Sequence, residues 1–169
     1  MDGWKLVCVF IWISLHISKE SCNNDLGIES GAIPNNQMTA NDHYAHYAPF
    51  RGRLHGSSSW AAKTGNPRKH WIQVDLGNIT QVTQVATQGA AGRGSRVTKY
   101  NVKYSTDGSN FTEITSSGGG RFSGNVIDSE SVVTNSFFSP VNARYIRIYP
   151  YKILYWPDLR MELYGCAGI

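Results

Sequence analysis

Two short stretches concentrate the side chains that could do chemistry. Asn41-Asp42-His43-Tyr44-Ala45-His46-Tyr47-Ala48-Pro49 brings together a carboxylate, two imidazoles and two phenols, and Gly89-Ala90-Ala91-Gly92-Arg93-Gly94-Ser95-Arg96 sets two guanidiniums and a hydroxyl in a glycine-rich run. His43 and His46, spaced i, i+3 beside Asp42, invite a zinc reading. A zinc site needs three or four ligands, and no further ligand follows at a matching spacing; metal is not assigned there. The glycine-rich run is not a phosphate loop, because it lacks Gly-Lys-Ser/Thr and opens no helix. Its glycines instead permit a tight excursion between strands. Ser, His and Asp all occur without a nucleophile motif such as Gly-x-Ser-x-Gly. The 12 acidic residues form no pair at a shared site, so the chain is not read as an enzyme.

What remains is recognition. Tyrosine rings stack on sugar faces and also suit a bilayer interface, having an apolar body and a wet tip; Tyr44 and Tyr47 are expected to touch ligand. Arg93, and less so Arg96, can grip a sulfate, carboxylate or lipid headgroup bidentately, with Ser95 beside them. Protonation of His43 and His46 in the mildly acidic range would tune such binding. A third run, Ser116-Ser117-Gly118-Gly119-Gly120-Arg121-Phe122, offers Arg121 as a further cation, and Phe122 is expected in the core.

These runs need a scaffold, and the chain between them alternates. Ile72, Val74 and Leu76 fall on one face of 70–76, with Gln73 and Asp75 on the other. Period-two runs recur over 79–88, 97–105, 110–115, 131–138, 143–149 and 159–165. That period is the strand signature. Gly77-Asn78 and Asp107-Gly108 read as turns, the latter a hairpin. Many short strands, turn-rich connections and 17 glycines point to an antiparallel sandwich or barrel. Long connections at roughly 40–59, 89–96 and 116–130 are where binding is expected on such a scaffold. Asp75 is expected to be held by a barrel arginine, with Arg144, Arg147 and Arg160 as candidates.

Length and charge bound the class. The 169 residues suit one domain with a real core. A net charge of +4, with 17% charged residues and no block of like charge, argues against a dedicated nucleic-acid binder. Lys5 precedes the apolar run 6–15, which is followed by small and polar residues. This is the pattern of a secretory signal over 1–21, with cleavage expected near 18–21; the run falls short of the roughly 20 apolar residues that span a bilayer. Cys8 leaves with that segment. Cys22 and Cys166, one near each end of the mature 22–166 domain, read as a disulfide in an oxidising compartment. Residues 167–169 form a short tail. The sequons at Asn78 and Asn110 fit a secreted, glycosylated chain.

Taken in order, the segments resemble the discoidin family, also called the coagulation factor V/VIII type C domain. They are Leu26-Gly27-Ile28-Glu29-Ser30-Gly31-Ala32-Ile33-Pro34; Gln37-Met38-Thr39-Ala40; Arg53-Leu54 with Trp60; Trp71-Ile72-Gln73-Val74-Asp75-Leu76-Gly77; Val85-Ala86-Thr87-Gln88-Gly89; Tyr104-Ser105-Thr106-Asp107-Gly108; Phe122-Ser123-Gly124-Asn125; Ala143-Arg144-Tyr145-Ile146-Arg147-Ile148; and Leu159-Arg160-Met161-Glu162-Leu163-Tyr164-Gly165-Cys166. The resemblance implies an all-β fold, a distorted jelly-roll barrel or sandwich closed by a disulfide. It also implies three projecting loops at one end, here 41–49, 89–96 and 116–122, lining a ligand site.

Ligands in that family include galactose-type sugars, collagen, cell-surface proteins and anionic phospholipid. Sugar-binding members often hold calcium near the first loop through backbone carbonyls, an Asp and a last-strand Glu; the counterparts here are Asn41, Asp42 and Glu162. Phospholipid-binding members carry bulky apolar loop tips, whereas the second and third loops here offer Ala, Ser and Gly. Arg51-Gly52-Arg53 is not the Arg-Gly-Asp of integrin-binding relatives. The resulting expectation is a secreted, extracellular adhesion module for a glycan or a cell-surface or matrix protein, without nucleic acid and with no oligomeric state assigned. The alternative is a peripheral binder of anionic phospholipid.

Overall fold

Alternation places one face of each strand inward, and the computed structural model, which describes residues 22–166, assembles those faces into a single antiparallel sheet system. The expected signal over 1–21 and the tail at 167–169 lie outside the described residues. The strands are β1 (Asn24–Asp25), β2 (Met38–Ala40), β3 (Trp60–Ala61), β4 (Ile72–Gln88), β5 (Arg96–Ser105), β6 (Thr112–Ile114), β7 (Phe122–Ser123), β8 (Val133–Leu154) and β9 (Asp158–Cys166). The order is β1-β9-β4-β8-β5-β6, with β2 on β4, β3 on β9 and β7 on β5. Single 3-10 turns stand at 35–37, 49–51 and 67–69. Among the described residues there is no α-helix, and no helix is long and apolar enough to cross a membrane.

Two expected boundaries dissolve. Gly77-Asn78 does not reverse the chain: 72–75 and 80–82 both pair with β8, and only the register shifts between Asp75 and Thr80. The pair is a β-bulge inside one strand. Gly77 supplies its left-handed φ of 79°, and the Asp75 carboxylate accepts its backbone N–H at 2.8 Å. Likewise 131–138 and 143–149 fuse into β8. Its Pro150, opposite Tyr100, sits where the β5–β8 register shifts, a place that needs no donor. The hairpin at Asp107-Gly108 forms as expected, with Val102 opposite Ile114.

Inward residues fuse into one core around Trp60, Tyr100, Phe122, Ile72, Ile146, Ile148 and Leu163. Phe122 is fully buried, as expected; it stacks on Tyr100 at 5.5 Å and meets Phe137 edge-on at 5.7 Å. Cys22 and Cys166 are joined by a disulfide, beside the pairing of β1 with β9. Of the three arginines considered for Asp75, Arg144 takes it, through Nε at 2.8 Å and Nη2 at 3.0 Å. Arg147 reaches Gln73, and Arg160 is buried against the Gly56, Gly89 and Ser129 carbonyls and Glu130.

Candidate functional site

The first loop is fastened before it can present anything. Tyr44 donates its N–H to Ala61, and Ala61 donates in turn to Tyr47, so 44–47 runs as an extra rung against β3. Asp42 works underneath: its carbonyl accepts the Trp60 indole N–H at 3.1 Å, and its carboxylate accepts the Lys63 N–H at 3.2 Å. The same carboxylate lies 3.0 Å from Nδ1 of buried His70, too poorly aligned for a hydrogen bond.

The second loop departs at Gly89 because only glycine fits there. A Cβ would fall 2.6 Å from Arg96 Cβ and 2.6 Å from the Ser95 carbonyl. Ala90 N–H closes the loop on Ser95 O at 2.8 Å. The Arg93 guanidinium then lies over Tyr47, 3.9 Å from the ring centroid. Its Nη2 donates to Asp158 at 2.6 Å and to Ser59 at 3.0 Å. Asp158, the first residue of β9, is 2% exposed. Burial pushes its carboxyl above the ordinary carboxylate range, against the opposing pull of Ser59, Arg93 and Ser95.

Around this pair opens a cleft of about 400 Å³ lined by Tyr44, Tyr47, Ala61, Arg93, Ser95, Trp156 and Asp158. Trp156 is oriented by its indole N–H, which donates to Ala62 O at 2.8 Å. Aromatic walls around a charged, hydrogen-bonding floor can hold a small amphipathic ligand, apolar on its faces and hydroxylated at its edges.

Tyr44, Tyr47, Arg93 and Ser95 therefore meet, as expected for a shared site, and Asp42 supports them from below. His43 and His46 are exposed on the loop without lining the cleft. Arg96 is corrected: it is buried and spends its guanidinium on the carbonyls of Gly94, Asn125, Val126 and Ile127, so it ties loops together instead of awaiting a ligand. Arg121 does not join the cleft; it stacks on Tyr151 at 3.9 Å.

The third loop divides. Its glycine tip closes on itself through Ser116 and Gly120. The part that reaches the second loop is 125–130, where Gly89 donates to Ser129 and Gly92 to Glu130. There Val126 and Ile127 are 64% and 90% exposed, so the loop end does carry an apolar tip, contrary to the Ala/Ser/Gly tips read from the sequence. Trp156, Asp158 and Ser59 were not expected. The aromatic pair Tyr155-Trp156 in the turn before β9 was the legible signal.

The calcium set does not assemble. Asn41 bonds the Lys69 carbonyl and the Trp71 N–H, whereas Glu162 accepts the N–H groups of Ile28, Glu29 and Leu163. Carbonyls near Glu162 are already served by a fixed cation. Arg53 donates to Ile28 O, to Ile33 O at 2.9 Å and to Asn35 Oδ1 at 2.8 Å. No cluster of three or more His, Cys, Asp or Glu suited to a metal occurs among the described residues. The sequons Asn78 and Asn110 are exposed, and neither lines the cleft.

Comparison with known proteins agrees with this architecture. The F5/8 type C domain model matches residues 37–163. Mouse lactadherin is 35% identical over 94% of this chain and 37% of its own length. Mouse coagulation factor VIII is 37% identical over 89% of this chain and 7% of its own length. Human EGF-like repeat and discoidin I-like domain-containing protein 3 is 38% identical over 86% of this chain and 33% of its own length. The chain thus spans well under half of each relative. Among solved structures, discoidin II of Dictyostelium discoideum superposes with a TM-score of 0.69 at 24% identity, covering 78% of this chain and 55% of that one. The family 32 carbohydrate-binding module of Clostridium perfringens NanJ, solved with galactose, superposes at 0.61 and 20% identity, covering 79% and 97%. At these identities the superpositions speak for the fold. With the nearly all-β sheet, the disulfide and the family match over most of its length, the chain belongs to the F5/8 type C, or discoidin, domain family of binding modules.

Proposed function

We propose that the protein is a non-catalytic, extracellular adhesion module that takes a glycan, or a glycan-bearing or matrix protein, into the Tyr44–Arg93–Trp156 cleft. The observation that carries this reading is the convergence of three aromatic rings on the Arg93–Asp158 pair in a cleft of about 400 Å³. Rings stack on the apolar faces of a sugar, and a guanidinium held by a carboxylate presents its remaining N–H groups to hydroxyls. Entry to the secretory route through 1–21 and glycans at Asn78 and Asn110 belong to the same reading, and no metal is required.

A second reading rests on a specific observation: Val126 and Ile127, whose carbonyls bond Arg96 of the second loop, and Tyr155 are exposed, the arrangement of a module that inserts apolar tips into an anionic membrane.

Glycan arrays and phosphatidylserine vesicles, tested on wild type and two variants, separate the two. Arg93→Lys keeps a cation beside Asp158 but loses the planar fork. It is expected to weaken glycan binding about tenfold and to leave vesicle binding unchanged. Ile127→Ser is expected to do the reverse. Vesicle binding that resists high salt and vanishes in Ile127→Ser, with no glycan bound, establishes the membrane reading and removes the first.

A further inference from the structure

A second surface, on the outer face of β5 and β8, has a composition that the cleft does not explain. On β8 and β5, Ile146, Ile148 and Val102 are buried, so alternation turns Lys103 and Arg147 outward, and the strand register sets these two directly opposite each other. Further along the same two strands, exposed Lys99 stands opposite exposed Lys152. Exposed Arg68 and Arg121 then close on Tyr151 from 4.4 and 3.9 Å. Like charges directly opposite across an antiparallel pair destabilise it, and here two such pairs share one ribbon.

No ion pair closes on them. Among the described residues none of these six cations has a carboxylate within 4.0 Å. Glu113, opposite Lys103 on β6, is the one carboxylate set against the group and forms no ion pair with it, and Asp75, opposite Tyr145 on the neighbouring strand, is committed to Arg144. The guanidiniums are also ordered in advance. Arg147 is held between Trp71 at 4.1 Å and Phe111 at 3.8 Å, with Nε on Gln73 at 2.7 Å. A guanidinium already fixed loses less freedom when an anion arrives, and its fork matches sulfate bidentately.

We propose that this outer β5–β8 face docks a linear sulfated polysaccharide. From the Lys103–Arg147 pair to the Lys99–Lys152 pair is four residues on β5, about 13 Å along a strand, so the occupant must repeat its anions over that length. A polymer sulfated along its chain does so. A membrane is disfavoured because the exposed apolar tips, Val126 and Ile127, belong to the loop end. Single-stranded nucleic acid needs free ring faces for base stacking, and here guanidiniums lie over Trp71, Phe111 and Tyr151.

The test is titration of the full chain, its N-linked glycans removed enzymatically, with heparin and with desulfated heparin, alongside thermal melts. Lys99→Glu is the informative variant, because it puts a carboxylate opposite Lys152 and so should leave stability unchanged or raise it. Its affinity for heparin is expected to fall at least about tenfold, as is that of Arg147→Gln, and desulfated heparin should bind neither variant nor wild type. Equal heparin affinity in wild type and Lys99→Glu overturns the proposal, as does equal binding of desulfated heparin. Loss of heparin binding in Arg93→Lys but not in Lys99→Glu also overturns it, by moving the anion to the loop end. Tighter, Lys99-dependent binding of phosphatidylserine vesicles or single-stranded DNA overturns it by naming another occupant. None of these outcomes bears on glycan binding in the cleft, which Arg93→Lys reads separately.

Discussion

Asp75 and Asp158 are the same residue type put to opposite uses by their surroundings. Asp75 is held by Nε and Nη2 of Arg144, and that hydrogen-bonded guanidinium, chiefly, keeps its carboxyl below the ordinary range. Asp158 is sunk under the cleft, and burial moves it the other way. Asp75 therefore belongs to stability and Asp158 to the site. Arg144 is 41% exposed, so solvent screening keeps the contribution of the pair small. Arg144→Ala should be slightly less stable than wild type at neutral pH by urea unfolding, with cleft binding unchanged. A lowered carboxylate stabilises above its unfolded pKa, and this contribution fades as pH falls through the folded one. Wild type and Arg144→Ala should therefore converge in strong acid. A constant gap across the series would mean that Arg144 acts by packing, not by its charge.

At the scale of elements, β1 is two residues long and gains little from its own pairing with β9. The Cys22–Cys166 disulfide, closing a sequence separation of 144, is what keeps that edge in place. A loop of that length is worth about 5 kcal/mol on chain-entropy grounds, as an upper value. The Cys22→Ser/Cys166→Ser variant should thus unfold at much lower urea, and a change below about 1 kcal/mol would show that packing alone holds β1.

Which elements were legible follows from how local their causes are. Alternation in 72–76 and 143–149 is local, so the strands and the burial of Phe122 could be read directly. Whether Gly77-Asn78 reverses a chain or bulges a strand depends on β8 pairing with both sides, which is not local. Arg96 shows the same limit: its spacing in a glycine loop looked available, and only the arrival of 125–127 claimed its donors. Trp156 and Asp158 join the site because β9 starts beneath the first loop; the Tyr155-Trp156 pair marks that turn, but its contact with residues about a hundred positions away is not local.

At the scale of the whole molecule, six carboxylates fall into two groups with opposite pH behaviour. Asp75, Asp107, Asp128 and Glu130 are held below the ordinary range by guanidinium or backbone N–H partners, so their stabilisation is present at neutral pH and is lost as pH falls. Asp158 and Glu162 are raised by burial, so their contribution is full in acid and is lost as pH rises through their folded pKa values. Glu162 makes the cleaner test because it lies away from the cleft. It is wholly buried and accepts three backbone N–H groups, which tie the 28–29 segment to β9. Glu162→Ala leaves those donors without their carboxylate and should cost about 3 kcal/mol. Glu162→Gln retains an acceptor and cannot ionise. Its stability relative to wild type should therefore climb as pH rises from the ordinary carboxylate range through the raised pKa of Glu162, and then level off. Urea unfolding of both proteins across a pH series reads this directly. A relative stability that stays flat would mean that Glu162 ionises in the fold as easily as in the unfolded chain, its three N–H donors fully offsetting its burial.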